Sequence, residues 1–268
     1  MRRNHRKEKT GPDRLIPQLK RLEESRSILY GLMTAAVLLL LCHSAMAIQK
    51  ESTAEKAENF EKQVKGGLFN FWTFDRQPAG KIPEGFVQAV YGDGPEGTWN
   101  IEAVATAPSA PNAVSAVSRC AACSQLLIAH DLQYEYPDLS VRLEGQGTIG
   151  IVFGLRDPRN FYAALADLPG KTLRVIRVIA GEESVLGEAP LKAKAVEWHT
   201  LRVQRNTIVS KDFIETFFDG QITLSVEDQL LGLGQIGLLV RGDASVHFDT
   251  FNAAPLYSHR PLSPPAAY

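Results

Sequence analysis

Apolar and polar residues alternate along most of the chain between residues 67 and 256, which predicts β-strands rather than helices. In Thr148–Arg156, alternation places four apolar side chains on one predicted face: Ile149, Ile151, Phe153 and Leu155. The sequence Leu168–Lys171 has the composition of a turn between two further strands. Short strands separated by turn residues, without a long amphipathic helix, are typical of an antiparallel β-sandwich.

The stretch from Val196 to Asp228 predicts a β-hairpin. Asp219-Gly220 favours a tight turn because both residues tolerate positive φ. Three sets of alternating residues flank it: His199, Leu201 and Val203; Ile214, Thr216 and Phe218; Ile222, Leu224 and Val226. We interpret this stretch as packing rather than chemistry. His199 is expected at the edge of the core with its ring nitrogens hydrogen-bonded, and the aromatic residues are expected in the sandwich: Trp198, Phe213, Phe217 and Phe218.

The segment Gly234–Leu256 predicts two more strands on either side of Gly242-Asp243. The fold class expected is therefore all-β, an antiparallel two-sheet jelly-roll sandwich over residues 67–256. No internal repeat is found, and the Pro-rich tail at 257–268 is predicted to be disordered.

The first 66 residues have a different composition. A basic segment is followed by an uncharged run from Ile28 to Ile48, which contains Ala-Met-Ala at Ala45–Ala47. This pattern predicts a signal peptide over residues 1–47 with cleavage after Ala47, or an uncleaved membrane anchor. Residues 48–66 are predicted to be a polar spacer. In either case the sandwich is expected to be exported, with the membrane contacted only through the N-terminal segment.

The overall charge changes this picture little. The chain of 268 residues is 44% hydrophobic and 22% charged, with a formal net charge of -1. This balance gives no basic patch of the kind that nucleic-acid binding requires, so no nucleic-acid partner is expected.

Ordered motifs carry a resemblance to a known superfamily. These motifs are FWTFDRQPAGKIPEGF, GIVFGLRDPRNFYAALA, EWHTLRVQRN, TFFDGQ and GQIGLLVRGDASVHFDTF. Their order resembles exported bacterial domains of the concanavalin A-like lectin/glucanase superfamily, nearest to laminin-G-like and 3-keto-disaccharide-hydrolase-type domains. The resemblance spans roughly residues 68–256. It implies a carbohydrate partner and leaves three functions open: glycan-binding or envelope-interaction module, saccharide-acting hydrolase, or purely structural domain.

No residues are assigned a catalytic role. A glucanase of this fold would carry acids alternating along one strand, and no such E-x-D-x-x-E string occurs. The adjacent acids Glu182-Glu183 and Glu227-Asp228 would point to opposite faces of a strand and do not form a dyad. His130 and His247 are likewise given no role.

Cys120 and Cys123 form a C-x-x-C motif without the second half of a zinc site or the His of a haem-attachment site. In an exported chain this favours a local disulfide between them, with a redox or metal role as the alternative.

Two hypotheses about ligands remain, one for saccharide and one for calcium. Arg156, Tyr162 and Arg177 lie on or beside neighbouring strands and could bind a saccharide through guanidinium hydrogen bonds and ring stacking. Calcium is common in relatives of this fold near the first and last strands, so the resemblance implies Asp75 and Asp249 as candidate ligands, although calcium needs further oxygen atoms.

Overall fold

The computed structural model describes residues 69–194 and 197–256. The predicted signal or anchor, the spacer and the Pro-rich tail lie outside these residues. Within them the chain forms twelve strands, all paired antiparallel: β1 (Asn70–Trp72), β2 (Phe86–Tyr91), β3 (Thr98–Ala103), β4 (Asn112–Tyr134), β5 (Pro137–Asp157), β6 (Asn160–Asp167), β7 (Thr172–Ile179), β8 (Glu182–Pro190), β9 (His199–Ile208), β10 (Lys211–Phe218), β11 (Gln221–Glu227) and β12 (Gly234–Pro255). No helix that could cross a membrane is found in this part of the chain.

Three long strands, β4, β5 and β12, each belong to both layers of the fold. One half of each pairs within sheet I, in the order β2-β4-β12-β5-β6-β7-β8. The other half pairs within sheet II, in the order β3-β4-β12-β5-β9-β10-β11, and β1 pairs with the end of β12. Buried residues of both sheets share one apolar core, so the predicted all-β antiparallel sandwich is confirmed.

The long strands bend where they pass from one sheet to the other. In β5 the bend falls at Gly145 and Gly147, whose φ angles are 129° and 128°. A Cβ at Gly145 would lie 2.4 Å from the carbonyl oxygen of Ser245, so glycine is required for this approach. In β4 the bend contains three extra residues, because adjacent Arg241 and Gly242 of β12 pair with Ser124 and Cys120.

Two sequence predictions about strands are wrong. Gly242-Asp243 is not a turn between two strands, since β12 runs continuously through it with a register shift at this point. Leu155 does not share a face with Phe153: it packs on the opposite side of sheet I. Gly154, with φ 57°, interrupts the alternation between them.

Other predictions are confirmed. The Asp219-Gly220 turn joins β10 to β11, with φ angles of 49° and 78°. His199, Leu201 and Val203 are buried together on one face of β9. Cys120 and Cys123 are joined as a disulfide that closes the three-residue insertion of β4.

Sheet I is strongly curled. Strands lie about 4.8 Å apart, so β2 and the β7–β8 turn, five strands away, would be roughly 24 Å apart in a flat sheet. Instead the Tyr91 hydroxyl donates to the Gly181 carbonyl at 3.3 Å, and its ring lies 5.3 Å from that of Phe161. The outer side of sheet I is therefore concave. Its floor consists of buried apolar residues, among them Leu126, Val152, Phe161, Ile176 and Leu239.

Candidate functional site

The outer face of sheet II differs from that of sheet I because polar side chains occupy it. Ser115, His247 and Glu144 lie in one row across β4, β12 and β5, as directly paired residues. Each alternates with buried apolar neighbours, which fixes its direction away from the core. Ser115 is buried and Glu144 is largely buried, with a side chain 15% exposed, so the row is recessed.

His247 is the centre of this row. Its Nδ1 lies 3.3 Å from Glu144 Oε1, and its Nε2 lies 4.0 Å from Glu102 Oε2 on β3. The ring of Trp198 lies 6.5 Å from the imidazole, with the two planes inclined by 31°. Arg142, two residues before Glu144, donates from its guanidinium to the Trp198 carbonyl at 3.3 Å. We refer to these five residues, Glu102, Arg142, Glu144, Trp198 and His247, as the His247 site.

Two buried polar atoms of this site, Trp198 Nε1 and Arg142 Nε, have no hydrogen-bond partner among the residues that the structure describes. A buried N–H without an acceptor costs free energy that a bound acceptor recovers. Both groups are donors, as the recognition of hydroxyl or carbonyl oxygens requires.

The sequence interpretation missed this site. It assigned Trp198 to sandwich packing and gave His247 no role. The first assignment is wrong, because Trp198 lies partly exposed on the outer face, against His247. The alternation of Arg142 and Glu144 with Val141 and Leu143 was a usable signal, because it marks polar residues on one face. The register that places residue 144 beside residue 247 is a long-range pairing, which no local pattern contains.

Asp75 and Asp249, the predicted calcium ligands, are brought together beside this site by Ser109. The Ser109 hydroxyl donates to Asp75 Oδ2 at 2.6 Å, and its backbone N–H donates to Asp249 Oδ2 at 2.6 Å. Asp249 is fully buried. Its pKa is raised by desolvation, with the nearby charge of Asp75 adding to the effect, while N–H donors and Arg142 oppose it.

This pair does not match a calcium shell. Every carboxylate oxygen of the two residues accepts a hydrogen bond from a protein N–H or O–H, including those from Asn112 and Thr250. Calcium takes six to eight oxygen ligands. No cluster of three or more His, Cys, Asp or Glu suited to a metal is found within residues 69–194 and 197–256. Asp75 and Asp249 supply at most four carboxylate oxygens, so on their own they do not complete a calcium shell.

Of the three residues predicted to bind saccharide, the structure brings Tyr162 and Arg177 together and leaves Arg156 apart from them. Tyr162 is fully buried, its ring stacks on Phe153, and its hydroxyl donates to Asp228. Arg177 donates to the same carboxylate, while Arg156 is exposed. Burial in this network and the bond to Asp228 raise the pKa of the Tyr162 hydroxyl. The predicted ring stacking is thus wrong for Tyr162, because no face of its ring is accessible; binding through Arg156 and Arg177 stays a prediction.

His199 behaves as the sequence predicted. Its Nδ1 lies 2.7 Å from Asp219 Oδ2 and its Nε2 lies 3.0 Å from the Lys194 carbonyl oxygen. The buried ring stacks on Phe218. Both nitrogens are engaged, so His199 ties the β10–β11 turn to the start of β9 rather than serving as a base.

Three clefts lie elsewhere on the described surface. Two, of about 400 and 420 Å³, flank Leu191–Lys194 and hold no exposed aromatic ring. The third, of about 280 Å³, lies at the mouth of the concave side of sheet I. There Arg241 donates to both carboxylate oxygens of Glu183 on β8, at 3.0 and 2.7 Å, and to Ser124. We call Tyr91, Glu183 and Arg241 the edge bridge, since Tyr91 of edge strand β2 contacts the β7–β8 turn and Arg241 of central strand β12 binds Glu183 of edge strand β8.

Comparisons with known proteins find similarity among solved structures. Neither a family model nor a curated protein sequence matches the chain. Among solved structures, it is similar to a carbohydrate-binding module, CBM66, from Bacillus subtilis (15% identity, 62% of this chain and 94% of that one, TM-score 0.49). It is also similar to the carbohydrate recognition domain of Emp47p (12% identity, 70% and 94% coverage, TM-score 0.47). A third is the exoplasmic/lumenal domain of VIP36 in its Ca²⁺/Man3GlcNAc-bound form (10% identity, 65% and 86% coverage, TM-score 0.44).

With identities of 15% or less and TM-scores below 0.5, the similarity carries no argument about what this chain binds. Its function has to be argued from its own residues.

Proposed function

We propose that this protein is an exported, non-catalytic glycan-binding module that binds saccharide at the His247 site. The observation that carries the proposal is the meeting of an indole, an imidazole, two carboxylates and a guanidinium on one recessed sheet face. Carboxylates and guanidinium groups provide hydrogen bonds to hydroxyls, and a partly exposed indole provides a flat apolar surface for a sugar ring.

The alternative of a saccharide hydrolase is less well supported by this geometry. Glycoside hydrolases place their two carboxyl groups on either side of the scissile bond, and inverting enzymes leave room between them for water. Here the imidazole of His247 lies between the two carboxyl groups, with Nδ1 3.3 Å from Glu144 and Nε2 4.0 Å from Glu102. An imidazole in this position disfavours an acid–nucleophile pair made of Glu102 and Glu144.

A glycan array combined with a hydrolysis screen tests the proposal. The purified protein is applied to immobilised saccharides, and ordinary and oxidised disaccharides are incubated with it while released products are measured. Binding without turnover is the result expected. Turnover would support the hydrolase, and neither binding nor turnover would leave a structural or envelope-interaction role and overturn the proposal.

Export is a separate part of the proposal and rests on the N-terminal sequence alone. N-terminal sequencing of the protein recovered from the cell envelope is expected to begin after Ala47 or to show an intact anchor. Recovery of the full-length chain from the cytosol would contradict both versions.

A further inference from the structure

The charges around the His247 site are unevenly paired. Arg202 holds Asp138 with two hydrogen bonds, at 2.7 and 2.6 Å, farther along the same face. Lys194 pairs with Glu197 beside Trp198, at 3.4 Å. Each of these cations is thus offset by its own carboxylate.

Arg142 supplies one positive charge to the site, and its guanidinium donates to the Trp198 carbonyl. Glu102 and Glu144 differ from Asp138 and Glu197. Among the described residues, the basic group that lies within 4.0 Å of the carboxylate of Glu102 or of Glu144 is the imidazole of His247. An imidazole is a weaker and more easily lost positive charge than a guanidinium. The site therefore carries two carboxylates whose negative charge is incompletely balanced.

We propose that the His247 site prefers saccharides bearing a primary ammonium group, such as unacetylated hexosamines, over neutral and acidic saccharides. This inference rests on the proposed function, since it names the ligand class of the same site. The ammonium has three N–H donors and a positive charge, which match two neighbouring carboxylates. An N-acetyl group removes the charge, and a uronate brings a third negative charge to the same place.

The two carboxylates have different parts in this preference. Glu102 is 53% exposed at the edge strand β3, so solvent screens it and its loss is expected to weaken amine binding about two- to fivefold. Glu144 is largely buried, so its charged hydrogen bond is stronger and its loss is expected to weaken amine binding roughly tenfold or more.

Calorimetry with four matched ligands tests the inference at about pH 6, which is below the pKa of a hexosamine amine, made less basic than a lysine amine by its neighbouring oxygen atoms, and above the ordinary pKa of a carboxyl group. The ligands are an unacetylated glucosamine tetramer, its N-acetylated form, a galacturonate tetramer and an aliphatic diamine. We expect the unacetylated tetramer to bind at least tenfold more tightly than the N-acetylated one, and the galacturonate and the diamine not to bind measurably. Glu102→Gln should weaken binding of the unacetylated tetramer about two- to fivefold, and Glu144→Gln roughly tenfold or more. Glu188→Gln, which removes a carboxylate from β8 of sheet I, is the control and should not.

The outcomes separate the two proposals. Equal or tighter binding of the N-acetylated tetramer would overturn the ammonium preference and leave glycan binding intact. Tight binding of galacturonate would do the same. Binding of the diamine as tight as that of the tetramer would show a cation site without saccharide recognition. If no saccharide binds here or on the array, the proposed function itself fails.

Discussion

His247 Nδ1 and Glu144 Oε1 lie 3.3 Å apart on directly paired residues of β12 and β5. The two residues are separated by 103 positions in the chain, and they meet because β5 and β12 pair antiparallel. Glu144 is the last residue of β5 before the bend at Gly145, which divides this strand between the two sheets.

The edge bridge is expected to stabilise the curled form of sheet I. Arg241 and Glu183 are 26% and 29% exposed and form two hydrogen bonds. A double-mutant cycle with Arg241→Ala and Glu183→Ala, measured by urea unfolding, should give a coupling free energy of about 1 kcal/mol. The pair Arg119–Asp243 is the matched control, since its side chains are 73% and 66% exposed, and its coupling should be close to zero. Equal coupling in the two cycles would show that the bridge adds nothing beyond a surface ion pair.

The disulfide is expected to be present and modestly stabilising. Cys120 and Cys123 close a four-residue loop, for which chain entropy gives about 2 kcal/mol. The double variant Cys120→Ser/Cys123→Ser should lower the free energy of unfolding by about that amount. Alkylation followed by mass measurement should label neither residue until the protein is reduced. Two thiols that alkylate in native exported protein would refute the pairing.

Asp249 should make the protein relatively more stable as the pH falls. Because its pKa is raised on folding, the native state binds the proton more tightly than the unfolded state. Above the pKa of Asp249 in the folded state, the buried charge lowers the free energy of unfolding by its full amount. This loss is relieved as the pH falls from that pKa to the lower pKa of the unfolded state. The stability of the wild type relative to Asp249→Asn should thus increase as the pH falls from neutral. Unfolding curves across this range measure the free energy of unfolding of the wild type minus that of Asp249→Asn, with Asp243→Asn as an exposed control. A value that decreases as the pH falls would show that Asp249 is not desolvated.

Calcium is expected to leave the stability unchanged. Asp75 and Asp249 supply at most four oxygens, held in place by hydrogen bonds from Ser109, Asn112 and Thr250, so a calcium ion would find an incomplete shell. Thermal unfolding should give the same Tm with calcium, with magnesium and with a chelator. A saturable rise in Tm specific to calcium, absent in Asp249→Asn, would instead establish the site that the sequence resemblance implied.

The sequence predicted the parts of the fold that local chemistry determines. The Asp219-Gly220 turn is one, because the two residues themselves supply the positive φ angles. Gly242-Asp243 has the same appearance, yet β12 continues through it, since pairing with β4 and β5 on both sides holds the strand together. A turn motif does not reveal whether the flanking segments pair with each other or with other strands.

The candidate site could not be predicted from the sequence for a similar reason. Tyr162 and Arg177 were correctly grouped, as they are paired residues of adjacent strands, but their common partner Asp228 comes from after β11 and draws both into a structural network. Alternation alone shows that His247 faces away from Val246 and Phe248. It does not show that Glu144 and Trp198 are its neighbours, because that depends on the order of strands in sheet II.

The central claim is that Trp198 and its neighbours bind a saccharide, and calorimetry of Trp198→Ala tests it most directly. The ligand is the saccharide that the array selects, and the matched control is Phe217→Ala, which removes another aromatic side chain from the outer face of sheet II, where Arg202 lies over it. Loss of a stacked ring should cost about 1–3 kcal/mol of binding free energy, or roughly 5- to 150-fold in Kd. We expect that loss in Trp198→Ala, with unchanged unfolding, and wild-type affinity in Phe217→Ala. Wild-type affinity in folded Trp198→Ala would place the binding site elsewhere and contradict the account.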